Sequence, residues 1–568
     1  MKLYVDESLQ QAHESSFVTG RVPPREVLPP GLSKARFDHV LQQFRSVVGP
    51  ENVHTGSNLL NFVDPFGVNE DHIPSAAVCP ASVNDIQNIV RMANCHKIPL
   101  WTTSKGKNLG YGGPAPLVLG SVVVSLHRMS QILEVNEKMA YAVVEPGVSF
   151  HDLAQHCTEH NPSVWPSVPF ISWGSVVGNT LDRGFGYNPL GEHHHHICGL
   201  EVVLPNGELL RTGQWAADNC SISHTHKSSF GPQVDGLFLQ SNLGIVTKMG
   251  IGMYPRPQAY MSLAVHGQEH QDLEGLIEAF AQLRREDIIQ NDPLIGNILG
   301  AVSTLTQKSE YYQGKGPIPP IIIEKMKQDF KLGHWIIMFD FYGTEDMILA
   351  RLSRTKEVLT QRCPSAKLEH TLHVEKDGKP LDNKVLANST RPEVVGMGRI
   401  DSVKMVSFAL PPDGGHPAHT DFVPVLPHDS KFALRWVQEA EKICKDHGFD
   451  AFTGGHIFKK HLLITHMIYY DSDNKDDTEN VQRLWTDLEQ HAKNYNLTNY
   501  RSHLDNMGRS TSLRSLECMN HADGQKDRIQ DVYNYNNHAY RRFVEDIKVL
   551  PQALTKYIWM DRQDANQM

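Results

Sequence analysis

One glycine-rich stretch, Asn179–His193 (NTLDRGFGYNPLGEH), constrains the fold more than any other part of the sequence. Three glycines and Pro189 within it exclude a regular helix or a central strand. The same stretch carries acidic, basic and aromatic side chains, namely Asp182, Arg183, Tyr187, Glu192 and His193. A glycine-rich turn with such groups is typical of a backbone that lies close to a bulky ligand, although a polar surface loop can have the same composition.

The composition excludes several classes of protein. With 568 residues the chain is long enough for more than one hydrophobic core, and its formal net charge of −10 argues against a nucleic-acid partner. The N-terminus lacks the apolar core of a signal peptide, and no apolar run is long enough to span a bilayer. The eight cysteines are scattered without a CxxC pair, which is typical of reduced thiols. We therefore expect an intracellular, cytoplasmic protein with no membrane partner and no peroxisomal C-terminal signal.

The chain before about residue 260 predicts a mixed region of helices, strands and glycine-rich loops. Ser82 is expected to cap a helix, because apolar residues follow it at helical spacing. A predicted strand that ends at Trp101 leads into the loop Ser104–Gly113, whose exposed N–H groups suit a pyrophosphate. This loop is not a Walker A motif and lacks the GxGxxG fingerprint, and a plain hairpin turn would fit it as well.

Residues 270–497 predict a second region of long helices and antiparallel strands. The helices expected there are 272–285, 346–362, 430–446 and 478–494, and the strands are 334–342, 402–409 and 462–470. From Tyr500 onward the sequence is polar and helical, and 528–548 is its clearest helix.

Histidine runs and one Tyr-Arg pair are the remaining candidates for chemistry. We interpret His193–His196 as a strand whose side chains point alternately to opposite faces, and we therefore expect no metal site. His416 and His419 lie in a proline-rich segment, where a histidine is either a covalent attachment site or an ordinary loop residue. The pair Tyr500-Arg501 could bind an anion through a phenol donor and a permanent charge.

Seven motifs spread along the chain resemble those of one flavoprotein family. In chain order they are LWTTSKGKNLGYGG, YAVVEPGV, GSVVGNTLDRGFGYNPLGEH, SNLGIVTKMGI, GFDAFTGG, NYRSHLDNMG and VYNYNN. No single motif is decisive, but seven in the family's order are highly specific. The sequence thus resembles the vanillyl-alcohol oxidase and p-cresol methylhydroxylase group, with vanillyl-alcohol oxidase and eugenol oxidase as the nearest likeness.

This resemblance implies an α+β protein with two domains. An FAD-binding domain would be formed by both ends of the chain, residues 1–265 and 500–568, around a central cap (substrate) domain of residues 266–499 with an antiparallel sheet covered by helices. The cofactor would lie along the loop 104–113 and the stretch 174–193. The cofactor-binding residues implied by the resemblance are Ser104, Gly106, Asn108, Gly110, Gly174, Ser175, Gly178, Asn179, Gly184, Gly191, Glu192, Ile245 and His419.

The resemblance also implies a reaction, the oxidation of para-substituted phenols such as 4-hydroxybenzyl alcohols and 4-alkyl or 4-allyl phenols. Tyr111, Tyr500 and Arg501 match the family's anion-binding positions and would stabilise the phenolate. A hydride would then leave the carbon para to the oxygen for flavin N5 and give a quinone methide, with Asp182 as the acid/base. The implied enzyme is a homodimer or higher homo-oligomer that reduces O2 to H2O2. The alternatives are a dehydrogenase with another electron acceptor and a flavin-binding protein that has lost catalysis.

Many family members attach FAD covalently to a histidine. His419 is preferred here over His416, because the proline that follows His419 and the distance to Gly448 fit the family's spacing. The family usually has another histidine near the position of Asp64, which helps the attachment, and the sequence has none beside Asp64. The family's C-terminal proline-glycine turn is also not visible.

Overall fold

The computed structural model describes residues 21–67, 70–229, 231–375, 378–382, 391–398, 401–412 and 414–507. The helix predicted at 528–548 lies outside these residues. No helix in the described ranges combines the length and apolar character that crossing a membrane requires.

The first part of the chain alternates helices and strands. The helices are α1 (Lys34–Val48), α2 (Val83–His96), α3 (Phe150–His160) and α4 (Val176–Leu181). The strands are β1 (Val53–His54), β2 (Ala76–Val78), β3 (Leu100–Thr103), β4 (Val122–Ser125), β5 (Ile132–Asn136), β6 (Tyr141–Val144), β7 (Val164–Trp165), β8 (Ile197–Val203), β9 (Leu209–Arg211), β10 (Ile245–Gly252) and β11 (Tyr254–Pro255).

Two sheets organise this first part. One has the strand order β1-β2-β4-β3, with β4 parallel to both of its neighbours, and the other is antiparallel with the order β5-β6-β10-β8-β9. The predicted cap of α2 is confirmed, because the Ser82 hydroxyl accepts a hydrogen bond from Asp85 N while the Asp85 carboxylate accepts one from Ser82 N. Such a capping box stabilises a helix start by about 1 kcal/mol. Strand β3 ends at Thr103, and its carboxyl end leads directly into the loop Ser104–Gly113.

The second part contains one large sheet and its covering helices. The helices are α5 (Asp272–Arg285), α6 (Ile298–Val302), α7 (Lys308–Tyr311), α8 (Pro320–Phe330), α9 (Glu345–Arg362), α10 (Ser430–Asp446) and α11 (Lys475–Asn494). The strands are β12 (Ala259–Gly267), β13 (Leu294–Asn297), β14 (Trp335–Gly343), β15 (Lys367–Val374), β16 (Pro417–Phe422), β17 (Val425–Pro427), β18 (Phe452–Ile457) and β19 (His461–Asp471).

This sheet confirms the predicted antiparallel architecture. Its strands follow the order β15-β12-β14-β13-β18-β19-β16, with β17 also paired to β19, and every pairing is antiparallel. Apolar faces of α5, α9, α10 and α11 pack on the sheet, and Phe280, Phe339, Trp436 and Trp485 are fully buried in the shared core. The protein is therefore an α+β molecule in which a large helix-covered antiparallel sheet follows a region of smaller sheets.

Two predicted strands are wrong. The predicted strand 402–409 is a 3-10 helix, Asp401–Ala409, because Val403 and Val406 enter the core at a spacing of three residues, which is the period of that helix. The predicted strand at His193–His196 is also a 3-10 turn.

The domain boundary predicted at 265/266 falls inside β12, since this strand already begins at Ala259. The division of the chain into two domains at those positions stays a prediction.

Candidate active site

The loop Ser104–Gly113 lies against strand β16. Gly110 has a φ of +81°, and a Cβ atom on it would lie 2.4 Å from His419 Nε2. Both the left-handed backbone and the contact therefore require glycine at this position. The Asn108 carbonyl closes the turn by accepting hydrogen bonds from the N–H groups of Tyr111 (3.1 Å) and Gly113 (3.0 Å). The loop thus presents the Tyr111 side chain next to His419.

The glycine-rich stretch lies beside the same loop. Ser175 caps α4 by accepting a hydrogen bond from Gly178 N (3.0 Å), and a Cβ on Gly178 would meet Ser104 Oγ at 2.2 Å. The sequence predicted no regular helix in the stretch Asn179–His193. Its first three residues are nevertheless helical, because α4 extends to Leu181. The helix ends where Arg183 adopts a left-handed φ of +54° and Gly184 packs on Asn179.

The catalytic candidates predicted from separate parts of the chain meet at this point. The Arg501 guanidinium lies 4.2 Å from the ring centroid of Tyr111 and 5.9 Å from that of Tyr500. It forms an ion pair with Asp182 and donates a hydrogen bond to Asn108 Oδ1. The Tyr500 hydroxyl donates to the carbonyl of Arg183. One permanent cation therefore lies between two phenols and a carboxylate.

Burial sets the protonation of this group. It raises the pKa of Tyr111 well above its usual value, with Asp421 adding to the rise and Arg501 opposing it. Burial likewise raises the pKa of Tyr500 to about 12, against the charge of Arg501. For Arg501, burial lowers the pKa, but Asp182 and the two phenols outweigh it and the pKa is raised. Both phenols are consequently neutral hydrogen-bond donors beside a fixed positive charge.

The two histidine candidates occupy different surroundings. His419 is mostly shielded from solvent on β16, packs on Phe66 at 4.9 Å between ring centroids, and has a pKa lowered by burial. Its Nδ1 atom is buried and has no hydrogen-bond partner among the described residues. His416 instead precedes β16, and its Nδ1 lies 2.7 Å from the Asp473 carboxylate, which is largely exposed.

A buried ionic cluster supports the site from the side of Phe66, and the sequence did not reveal it. His503 Nε2 lies 2.9 Å from Asp64 Oδ2, and His503 Nδ1 lies 3.4 Å from Asp505, which also pairs with His72. Asp64 in turn accepts a hydrogen bond from Phe66 N (3.0 Å). A histidine therefore does lie beside Asp64, but it comes from a distant part of the chain.

A second carboxyl, that of Asp421, was also missed. It is buried on β16, faces the Tyr111 hydroxyl as its hydrogen-bond acceptor, and lies 3.8 Å from His419 Nε2. The only sequence signal for it was its position two residues after His419, because alternate strand residues share a face.

The other predicted cofactor residues lie around this centre with different contacts. The Gly174 carbonyl accepts a hydrogen bond from Phe150 N (3.1 Å), and Asn179 Oδ1 contacts His193 Nδ1 at 2.8 Å. Gly106 packs on Pro114, a Cβ on Gly191 would meet Asp292 at 2.7 Å, and Ile245 is part of a buried apolar cluster. The structure therefore brings Ser104, Asn108, Gly110, Gly178 and His419 towards the catalytic candidates, whereas Ile245 lies at the edge of a buried apolar cluster.

The histidine run has a different geometry from the one predicted. In the 3-10 turn, potential ligand atoms of Glu192, His194 and His195 all lie within 4.8 Å of one another, and this is the only such trio in the described ranges. The alternating side chains predicted for this run are therefore not present. The absence of a metal stays a prediction.

The residues present fit an FAD molecule. A cradle of close backbone, formed where Gly110 meets His419 and Gly178 meets Ser104, leaves no room for side chains at those positions. The unpartnered Nδ1 of His419 points to a group that the described residues do not supply. Glycine-rich backbone at a strand end is also where phosphate groups bind.

Comparison with known proteins agrees with this arrangement. A model of an FAD binding domain matches residues 74–213. The chain is 37% identical over 327 residues to the 4-cresol dehydrogenase [hydroxylating] flavoprotein subunit of Pseudomonas putida, covering 57% of this chain and 63% of that protein. It is 34% identical over 304 residues to 1'-carboxy-chondrochloren decarboxylase of Chondromyces crocatus, covering 53% of this chain and 56% of that protein. The chain thus spans about three fifths of the length of these curated relatives.

Solved structures match over nearly the whole chain. The 4-ethylphenol oxidase from Gulosibacter chungangensis, in an isoeugenol complex, has a TM-score of 0.82 at 29% identity and covers 92% of this chain and 96% of its own. A p-cresol methylhydroxylase with substrate bound has a TM-score of 0.79 at 28% identity, and the match covers 92% of this chain and 97% of that protein. Together with the sequence matches, these likenesses show an FAD-binding oxidoreductase whose fold matches the vanillyl-alcohol oxidase and p-cresol methylhydroxylase type of flavoprotein.

Proposed function

We propose that the protein oxidises para-substituted phenols, such as 4-hydroxybenzyl alcohols and 4-alkyl or 4-allyl phenols, with FAD as cofactor. The observation that carries this proposal is the contact of Arg501 with Asp182 and with the rings of Tyr111 and Tyr500. Two structural relatives named for phenolic substrates, 4-ethylphenol oxidase and p-cresol methylhydroxylase, support it.

The chemistry explains why these residue types meet. A phenolate gives up a hydride from its para carbon far more readily than a neutral phenol, so the site must stabilise the anion. Arg501 supplies a charge that cannot be lost, and the hydroxyls of Tyr111 and Tyr500 can donate to the phenolate oxygen. These groups act in a buried environment, where their effect exceeds that in water.

Asp182 is proposed as the acid/base of the reaction. It ends helix α4 beside the cradle and is paired with Arg501, so its position is fixed by a buried cation. When bound, FAD supplies at N5 the acceptor for the hydride that leaves the substrate. Asp182 would then assist proton transfer or the addition of water to the quinone methide that is left.

We propose that Ser104, Gly106, Asn108, Gly110, Gly174, Ser175, Gly178, Asn179, Gly184, Gly191, Glu192 and Ile245 hold the cofactor, with His419 as the site of a covalent link. The unpartnered Nδ1 of His419 and its contact with Gly110 support this choice, whereas His416 is already paired with Asp473. The cofactor domain would combine residues 1–265 and 500–568 around a cap domain of 266–499. An intracellular homo-oligomer is proposed as well, and the cysteines of the described ranges, all without a disulfide, support a reducing compartment.

The electron acceptor is proposed to be O2, which would be reduced to H2O2. A dehydrogenase with another acceptor is the second candidate, because one relative is named a 4-cresol dehydrogenase flavoprotein subunit.

One experiment tests both parts of the proposal. The FAD-loaded protein is mixed anaerobically with vanillyl alcohol, 4-ethylphenol and eugenol, and the flavin absorbance is followed; bleaching by at least one of them is expected. The same mixtures are then assayed in air for peroxide. Failure of every para-substituted phenol to reduce the flavin would overturn the proposed function. Reduction without peroxide in air would favour the dehydrogenase.

A further inference from the structure

Asp421 is a buried carboxyl that the reaction described above does not use. It lies on β16, where side chains alternate between faces, and therefore shares a face with His419, two residues before it. In the pairing of β16 with β19, His419 is opposite Tyr469 and Asp421 is opposite Met467. This face looks onto Gly110 and Tyr111, which places the Asp421 carboxyl directly behind the Tyr111 hydroxyl.

The surroundings of Asp421 satisfy it only in part. The residue is 9% exposed, and its Oδ1 atom is buried without a hydrogen-bond partner among the described residues. The titratable or charged groups that face it are His419 on its own strand, Tyr111 on the glycine loop, Arg501 and Tyr469. Burying a carboxylate that has an unpartnered oxygen costs folding free energy. Such groups cluster at functional sites.

The charges of the site bear on the role of Asp421. With Asp421 ionised and His419 neutral, the site would hold the Arg501–Asp182 pair and one further negative charge. A phenolate added without loss of that charge would leave two negative charges beyond the pair in a buried space. Since burying an uncompensated charge is strongly unfavourable, phenolate formation needs a nearby group that takes up a proton.

We propose that Asp421, acting through Tyr111, takes the proton of the phenolic substrate. This inference rests on the proposed function. The substrate O–H bond breaks as its proton moves to the Tyr111 oxygen, while the Tyr111 proton moves to the Asp421 carboxylate. The products are a phenolate, a neutral Tyr111 that now donates to it, and a neutral Asp421 carboxylic acid that donates to Tyr111. The net charge of the site does not change, and no proton reaches solvent.

The electrostatics of the resting site suit this transfer. Burial raises the pKa of Asp421 above its ordinary value, and the neighbouring His419, the Tyr111 hydroxyl and the charge of Arg501 oppose the rise. A carboxylate with a raised pKa is a stronger base than an exposed one and is better matched to a phenol. The Tyr111 hydroxyl is suited to pass the proton because it both donates and accepts.

The test measures protons rather than turnover. The FAD-loaded protein is titrated with 4-fluorophenol, which has no para carbon to oxidise, near pH 8, about two units below the pKa of about 10 of a free phenol. Fluorine NMR reports whether the bound ligand is ionised, and a pH indicator in weak buffer reports proton release. The wild type should bind phenolate with no net release. Asp421→Asn should either release about one proton per bound phenolate or bind the neutral phenol.

Two variants serve as controls, and melting curves and flavin spectra check their folding. Asp421→Glu keeps the carboxyl and should restore phenolate binding without proton release. Thr420→Val changes the neighbouring residue on the opposite face of β16, whose buried hydroxyl has no partner among the described residues, and should behave as the wild type.

Several results would overturn the relay. Release of a proton by the wild type, binding of the neutral phenol by the wild type, or binding of phenolate without proton release by Asp421→Asn would each exclude Asp421 as the acceptor while leaving the proposed function intact. A wild type that binds no phenol at all would remove the proposed function itself.

Discussion

Removal of the Arg501 charge should weaken phenolate binding far more than it disturbs the fold. The Arg501 side chain is 13% exposed, stacks 4.2 Å from the Tyr111 ring and pairs with Asp182. In Arg501→Gln the phenolate loses its cation and also meets an uncompensated Asp182 carboxylate. Both the lost attraction and the new repulsion therefore weaken phenolate binding.

The magnitude follows from the burial of the pair. Removing one partner of a buried, hydrogen-bonded charge pair costs about 2–5 kcal/mol of binding free energy. Asp182 is 33% exposed, so water recovers part of this, and about 2–3 kcal/mol remains. At about 1.4 kcal/mol per tenfold, the dissociation constant of 4-fluorophenol should rise about 30- to 150-fold. Arg501→Lys keeps the charge but loses the planar guanidinium. Its dissociation constant for 4-fluorophenol should therefore lie between those of the wild type and Arg501→Gln.

Isothermal titration of the FAD-loaded protein with 4-fluorophenol measures this effect. The matched control is Arg483→Gln, an exposed arginine on α11 whose pair with Glu479 is largely in solvent, and it should leave the affinity unchanged. An Arg501→Gln protein with a normal flavin spectrum and an affinity within about threefold of the wild type would refute the anion-site reasoning.

Three further predictions concern the groups around this centre. Asp182→Asn should keep the flavin spectrum but slow flavin reduction by about 10²- to 10⁴-fold, and near-normal reduction in stopped flow would exclude the acid/base role. His419→Ala should release FAD on acid precipitation, and retention of the cofactor would point to His416 or another residue. Burial lowers the pKa of His503, but its hydrogen bonds to Asp505 and Asp64 raise it to about 10 from 6.5. The stabilisation from this cluster should thus be complete below about pH 6.5 and be lost as the pH rises through about 10, and urea unfolding of His503→Gln should lack that loss.

Local signals were sufficient to predict much of the fold. The capping box at Ser82 and the apolar spacing of the long helices depend on neighbouring residues, and the structure has these helices within a few residues of the predicted bounds. Where tertiary packing decides, local patterns failed. Residues 402–409 alternate well enough for a strand, but packing of Val403 and Val406 into the core selects a 3-10 helix.

The candidate site shows the same limit. Motif likeness could nominate Tyr111, Asp182 and Arg501, because each lies in a distinctive local sequence. It could not show that Asp421 lies behind Tyr111, since that contact depends on the register of β16 against the glycine loop. Nor could it find His503 beside Asp64, because 439 residue positions separate them in the chain.

The most direct test of the central claim is an isotope effect on flavin reduction. 4-Ethylphenol with deuterium on the carbon attached to the ring is compared with the unlabelled phenol in anaerobic stopped flow, alongside 4-ethylanisole, which cannot form a phenolate. The account predicts rapid reduction by the phenol, a clear primary isotope effect at that carbon and no reduction by the anisole. Equal rates for labelled and unlabelled phenol, or equal reduction by the anisole, would contradict hydride transfer from a bound phenolate.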